Sequence, residues 1–380
     1  MHFTRIQLEN WRNFIKVDVP LENRVFLVGP NAAGKSNFLD AIRFLRDVAD
    51  AQGGFQRAVS TSRRGVSQIR SLHARRNPVV AIEVAVQLSA PKPWTYRLEF
   101  GQDNQSRPVV KAERVTYGKK VLLSRPDKKD IDDPELLTQT HLEQVNTNRE
   151  FRQLADFFAQ VRYLHLVPQL VREPDRSTGR ANDPFGGDFL EQLAKKQPKT
   201  LAARLKHITG ALRIAVPQLE ELRLERDKRG VPHLEGKYKH WRPKAGWQNE
   251  TQLSDGTLRL LGLLWVFLDG TAPLLLEEPE LSLHSAVASQ IPQILARLSQ
   301  KKDRQIFLST HSADLLADEG IGAEEVLVLE PLEEGTRVTV ARDDEQIRAL
   351  LEGGLSAAEA LIPRTTPPNA ARLARFGDAP

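Results

Sequence analysis

Apolar and polar residues alternate over residues 3–9, which predicts a half-buried strand, and residues 25–28 form the unbroken apolar run expected of a buried parallel strand. From residue 37 to residue 51 the spacing becomes helical. Phe38, Leu39, Ile42, Leu45 and Val48 fall on one face there, so strand, glycine-rich turn and helix follow in order. Residues 79–86 and 94–100 predict strands of an antiparallel lobe, residues 107–123 a hairpin turning at Gly118, and residues 142–158 a helix. Residues 161–167 read as another core strand. The following stretch to Phe185 is rich in Pro, Gly, Asp and Arg and predicts a mobile loop. Further on, residues 189–212 predict a helix, residues 219–241 strands, and residues 258–268 a helix apolar on nearly every side, hence buried. Residues 274–276 and 306–308 are short buried strands.

This pattern predicts an α/β fold with a mixed-sheet core and an inserted helical and antiparallel lobe. The divisions fall at 1–170 (first part of the core, with the antiparallel lobe), 171–250 (a lid-like insertion), 251–361 (second part of the core) and 362–380 (an extended tail). A chain of 380 residues can bury such a core without staples, and it has no cysteine. That excludes disulfides, thiolate nucleophiles and cysteine-based zinc sites together. The alternating start lacks the apolar run of a secretory signal, and no later run approaches membrane-spanning length. A soluble cytoplasmic protein without a membrane partner is expected.

The net charge of +5 is too small to name a polyanionic partner, but its distribution is uneven. Residues 51–82 contain no Asp or Glu, while Arg57, Arg63, Arg64, Arg70, Arg75 and Arg76 all lie within them. A positive surface suited to DNA is expected there.

Gly29-Pro30-Asn31-Ala32-Ala33-Gly34-Lys35-Ser36 satisfies the phosphate-loop pattern in full, between an apolar strand and an amphipathic helix as the pattern requires. Its glycines let backbone N–H groups wrap phosphates, Lys35 reaches the β and γ oxygens, and Ser36, followed by Asn37, ligates Mg²⁺ at the helix start. Glu277 and Glu278 end the apolar run Leu274-Leu275-Leu276, at the sheet edge where open parallel sheets bind ligands. Neighbours on a strand point opposite ways, so Glu277 is assigned to Mg²⁺ and Glu278 to general base on the attacking water. Ser254, Asp255 and Gly256 open the buried helix and make an anion-binding N-terminus. His311 follows the strand at residues 306–308 and would emerge on the same sheet edge to sense the γ-phosphate.

The set resembles the ABC-type ATPases of the RecF, OLD and SMC group, often called AAA family ATPases, and the motifs stand in that group's order. Asn10 to Phe14 is similar to its N-terminal loop, which implies nucleotide contacts for Arg12 and Asn13; Gly29 to Ser36 resembles Walker A, and Leu253 to Thr257 the signature motif in an SDGT form. Glu277 and Glu278 resemble Walker B, Leu281 to His284 the D-loop, and His311 the switch histidine. Glu277 stands where the commonest pattern has Asp. For the Q-loop, Gln169, as a further Mg²⁺ ligand, and Arg172 are both candidates.

The resemblance implies ATP and Mg²⁺ as ligands and a homodimer, or a larger assembly, closing around ATP. It further implies DNA-related work, in antiphage or anti-plasmid defence or in repair, with an effector protein from a neighbouring gene. Too few residues follow His311 for a TOPRIM-type nuclease domain; Asp343 and Asp344 read as a charged turn, so any cutting is expected from the partner. A nucleotide-gated scaffold of negligible turnover and a transporter ATPase subunit remain as alternatives.

Overall fold

In the computed structural model, the opening alternation forms the strand His2–Trp11, whose inward residues Phe3, Ile6 and Leu8 are fully buried. The structure describes residues 1–50, 53–74, 77–177, 183, 185–242, 246–367, 369 and 372. The chain divides into two units. The first comprises Met1–Arg162, Ala272–Leu275 and Pro292–Pro380, the second Tyr163–Thr271 and Leu276–Ile291.

The first unit holds an antiparallel sheet in the spatial order Phe14–Pro20, His2–Trp11, Val80–Gln87, Trp94–Gln102, Pro108–Tyr117, Lys120–Arg125. Its second sheet is built around Arg24–Val28, flanked in parallel by Ile306–Thr310 and Val326–Pro331, with Thr336–Val340 antiparallel at the edge. The N–H of Leu274 donates to the carbonyl of Gln305 (3.0 Å), which adds residues 274–275 to this sheet. Val25 to Val28 are buried on both faces, as a parallel centre requires. The helix Lys35–Ala49 follows and buries Phe38, Leu39, Ile42, Phe44, Leu45 and Val48. Phe44 packs between Trp11 (5.2 Å) and Phe100 (5.4 Å), locking the helix to the antiparallel sheet.

In the second unit a three-stranded antiparallel sheet runs Trp247–Asn249, Pro232–Tyr238, Leu219–Arg226. Leu205, Ile208 and Leu212 of the helix Pro198–Ala215 share a core with Leu219, Leu222 and Leu234 of the strands and with Leu258, Leu261 and Trp265. The last three come from the helix Asp255–Leu268, whose apolar sequence is thereby explained. Asp269 closes its end by pairing with Lys196 (2.8 Å) and Arg204 (2.9 Å).

Several expectations change. The helix expected over 142–158 is only Arg152–Ala159, because upstream side chains satisfy the backbone instead: the Asn148 amide donates to the Leu142 carbonyl (3.0 Å) and Thr147 Oγ1 to that of His141 (3.2 Å). The helix expected over 189–212 is two, Phe189–Ala194 and Pro198–Ala215, since Pro198 holds Gln197 extended at ψ 138°. The strand at 161–167 shortens to Arg162–Leu164. The expected loop contains the helical turns Pro168–Val171 and Pro174–Ser177, while residues 178–182 and 184 lie outside the described residues. The helix Ala357–Thr365 takes up the start of the expected tail; residues 373–380 also lie outside the described set.

The arginine stretch changes most. Arg63 is buried, with Nη2 on Asp40 (2.8 Å) and Nη1 on Asp47 (3.0 Å), and its guanidinium lies 5.1 Å from the centre of the Phe44 ring. It is therefore part of the core and not of a surface. Around it the chain is helical over Gly54–Gln56, Arg57–Thr61 and Val66–Ile69; Arg57, Arg64 and Arg70 are exposed, and Arg75 and Arg76 lie outside the described residues. Among the described residues, no helix is long and apolar enough to cross a membrane.

Candidate functional site

The phosphate-binding pattern lies in the first unit, where Val28 ends the central strand and the helix begins at Lys35. Gly34 has φ 96°, and a Cβ there would lie 2.2 Å from the Asn13 amide nitrogen, so the tight turn needs glycine for both reasons. At Gly29 a Cβ would meet the carbonyl oxygen of Leu329 at 2.6 Å. Lys35 is 6 % exposed, and its ammonium folds back onto the carbonyls of Gly29 (2.8 Å) and Pro30 (3.1 Å). That pose centres the charge on the ring of loop backbone where phosphate oxygens would sit.

Asn13 ties the N-terminal loop to this turn. Its amide donates to the Ala33 carbonyl (2.9 Å) and to Thr336 Oγ1 (2.8 Å), and its oxygen accepts from the Asn37 amide (2.8 Å). Asn13 and Asn37 thus brace the loop from behind. Arg12 is turned to the Gln68 carbonyl (3.0 Å) and Asp40 (3.3 Å). Asp40 also receives Arg43 and Arg63; burial alone would raise its pKa, yet Arg63, Arg43 and Arg12 hold its carboxyl well below the usual carboxylate range. His311 is exposed directly after Thr310, and the register Thr310↔Val28 brings His311 out beside Gly29 at one end of the sheet. An Asn13→Ala chain loses all three of these hydrogen bonds and should bind ATP about tenfold or more weakly in a calorimetric titration; unchanged affinity would show that the loop holds itself.

The acidic pair and the capped helix lie in the second unit. Leu274, Leu275 and Leu276 are all fully buried, and Glu277 and Glu278 follow at partial exposure. The Tyr163 hydroxyl donates to the Glu277 carboxylate, fixing its direction. Glu278 has φ 43°, a left-handed backbone that an L-residue with a long side chain rarely adopts. Of the eight non-glycine residues with positive φ among those described, Asn10, Arg12, Ala32, Glu278 and Ser282 lie in the motifs read from the sequence. Such strain gathers where geometry serves a ligand.

Ser254 caps the helix Asp255–Leu268, accepting from the Thr257 N–H (3.2 Å). Arg172 pairs with Asp255 (2.6 Å) and donates to the Leu253 carbonyl (2.7 Å), and the Gln169 amide reaches Asp255 at 3.5 Å. Both Q-loop candidates therefore converge on Asp255. A Cβ on Gly256 would stand 2.6 Å from the Ser282 carbonyl, so this glycine exists to admit the D-loop.

Sequence reasoning missed Tyr163 and Arg259. Burial lowers the Arg259 guanidinium from its ordinary pKa, against the opposing pull of Asp255, Glu278 and Glu280. Arg259 stands one position past Leu258 on the capped helix, and the mixed apolar run there hid it. Taken unit by unit, the described residues offer groups suited to a magnesium-bound nucleoside triphosphate: in the first unit a backbone ring with an ammonium and a hydroxyl at the helix start, and in the second two carboxylates after a buried strand.

Residues 24–318 match a family model described as "AAA domain, putative AbiEii toxin, Type IV TA system". Over 58 residues the chain is 43% identical to endonuclease GajA of Bacillus cereus (strain VD045), covering 15% of this chain and 10% of that protein. Over 100 residues it is 28% identical to the DNA replication and repair protein RecF of Bacillus thuringiensis (strain Al Hakam), covering 26% and 27% of the two chains. The matched stretches thus span a tenth to about a quarter of these curated relatives. An SMC head solved with the C-winged helix domain of ScpA superposes with TM-score 0.53 over 89% of this chain and 97% of that chain, at 14% identity. A second SMC head, with an extended coiled coil and bound to the C-terminal domain of ScpA derived from Pyrococcus furiosus, gives TM-score 0.52 over 93% and 99%, at 12% identity. At such identities the likeness concerns the fold alone.

Proposed function

Because this chain belongs to the AAA-domain family whose model spans residues 24–318, with the fold of the ABC-type ATPases of the RecF, OLD and SMC group, we propose that it hydrolyses ATP in a dimer. Each site joins Lys35 of one subunit to Ser254 of the other. The observation that carries the catalytic part is Glu278: its carboxylate is held in a strained backbone immediately after a buried strand, a conformation that folding alone does not favour.

In this reading Gly29 to Ser36 enclose the phosphates, and Lys35 leaves the loop carbonyls to hold the β and γ oxygens. Ser36 and Glu277, the latter aimed by Tyr163, would hold Mg²⁺, which when bound offsets phosphate charge. Glu278 accepts a proton from the attacking water, and His311 donates toward the γ-phosphate. Ser254 and the N-terminus of its helix complete the anion site from the second subunit. Gln169 and Arg172 act through Asp255, which they contact.

The names of the relatives, an endonuclease and a DNA replication and repair protein, support DNA-related work, in defence with a separate effector or in repair. The shared-site reading is tested by mixing. Lys35→Ala and Ser254→Arg homodimers should each be nearly inactive, whereas an equal mixture places both lesions in one site of each heterodimer. With independent sites, about a quarter of wild-type turnover should return, since half the dimers are mixed and each keeps one intact site. To separate a requirement for two firing sites from the absence of a shared site, ATP-dependent dimerisation is followed by light scattering. A chain that turns over ATP as a monomer would end the composite-site reading.

A further inference from the structure

The arginine stretch near the start of the chain loses Arg63 to the core, and a second basic segment presents the surface a polyanion would need. From Gly236 to Gly246 the sequence contains Lys237, Lys239, His240, Trp241, Arg242 and Lys244, with no Asp or Glu. Its ends are pinned within the second unit. The Tyr238 N–H donates to the Gly246 carbonyl (2.8 Å) and the Lys239 N–H to that of Gln218 (2.8 Å), while Gly246 has φ 101° and no room for a Cβ, which would lie 2.4 Å from the Tyr238 carbonyl.

Trp241 stands 79% exposed on this projection, whereas Trp11, Trp94 and Trp265 are at most 3% exposed. A large aromatic left in water contributes little to folding. Its neighbours are arranged around the ring: the Arg242 guanidinium lies 4.4 Å from its centre, and the His240 ring 5.7 Å away at 25°. Arg242 also donates its backbone N–H to His240 Nδ1 (3.0 Å). Among the described residues, Lys239 and Arg242 have no carboxylate partner, unlike Arg63, Arg97, Arg125 and Arg223, which all do.

We propose that the projection formed by Lys239, His240, Trp241 and Arg242 binds an unpaired nucleic-acid strand, with a base stacked on Trp241 and phosphates held by Lys239 and Arg242. The chemistry selects this partner. A flat π surface with a guanidinium against it and an exposed lysine two residues away fits a ligand that alternates bases with phosphates, and every base has a face to offer. In a duplex the bases are already stacked, leaving only phosphates to bind. A protein partner would favour an apolar surround, and here the ring carries the Arg242 guanidinium and the His240 ring. The proposal rests on the DNA-related reading above and gives it a place on the chain.

The test uses the full-length chain without nucleotide, titrated into labelled oligo-dT, oligo-rU, a mixed-sequence duplex and vesicles containing anionic phospholipid. Trp241→Ala should weaken oligo-dT binding about five- to a hundredfold and duplex binding little, while Trp241→Phe retains most of the affinity. A Lys239→Gln, Arg242→Gln double variant should lower the slope of log affinity against log salt by about 1.4, two phosphate contacts on a single strand. Turnover of ATP by these variants should match wild type, which shows that they are folded. Three outcomes overturn the inference: Trp241→Ala binding oligo-dT as wild type does, equal losses on single strand and duplex, or vesicle binding that Trp241→Ala abolishes while oligonucleotide affinity stays unchanged. If the wild-type chain binds oligo-dT through Trp241 yet never hydrolyses ATP, the ATPase reading fails and this one stands.

Discussion

Replacing Glu278 by Gln should lower steady-state ATP turnover by about 10²- to 10⁴-fold, the usual worth of a positioned general base, while ATP binding persists. Gln has the same length and the same tolerance of the left-handed backbone at φ 43°, so the local fold is kept and only the proton acceptor is removed. The measurement pairs phosphate release with retention of labelled ATP on the purified chain. Because Lys35 and the phosphate loop are untouched, the variant should hold ATP for longer than wild type and accumulate as a dimer. Wild-type turnover in this variant, or a chain that stays monomeric with ATP bound, would remove Glu278 from the role of base. A wild-type chain that binds ATP but shows no turnover would instead favour a nucleotide-gated scaffold.

Arg63→Ala should be strongly destabilising, costing about 3–5 kcal/mol of unfolding free energy, as is typical when one partner of a buried ion network is removed. Asp40 and Asp47 would then face each other's charge beside the phosphate-loop helix with one guanidinium fewer, and the Phe44 ring would lose its cover. Urea denaturation measures the loss. Its pH dependence carries a sign: Asp40 is depressed in the folded chain, so the network's contribution is present above the ordinary carboxylate pKa and fades as pH falls through and below it. The variant should therefore lose less stability on acidification than wild type. A change within about 1 kcal/mol would mean that Arg63 is an ordinary surface residue.

The elements that carry the motifs were legible because each combines a period with a fixed marker. Residues 25–28 and 274–276 are apolar runs too short for helices, and each ends at a recognisable group, Gly29 or Glu277. The apolar helix after Ser254 could be read for the same reason, since a cap precedes an uninterrupted core-facing segment. What could not be read depends on residues distant in sequence. Arg63 looked exposed because its own stretch lacks acids; its partners Asp40 and Asp47 sit on the preceding helix. Tyr163 meets Glu277 across more than a hundred positions, and no local pattern marks it. The missing turns upstream of Arg152 were a different failure, in which the side chains of Thr147 and Asn148 compete with helical hydrogen bonds without altering the hydrophobic pattern.

The missing side chain at Gly256 bears on how inactive descendants of such a chain would be recognised. Its place is taken by the Ser282 carbonyl, so the glycine serves the packing of two loops whether or not a nucleotide ever arrives. A descendant that had abandoned hydrolysis would still be selected to keep it, and its presence says little about activity. Glu278 is the opposite case. Its left-handed backbone would be more comfortable with Gly or Asn. Once catalysis is no longer under selection, drift at this position relieves strain and is immediately favourable. If Glu278 is the base proposed above, its retention, more than that of the signature glycine, would separate working members of this lineage from silent ones.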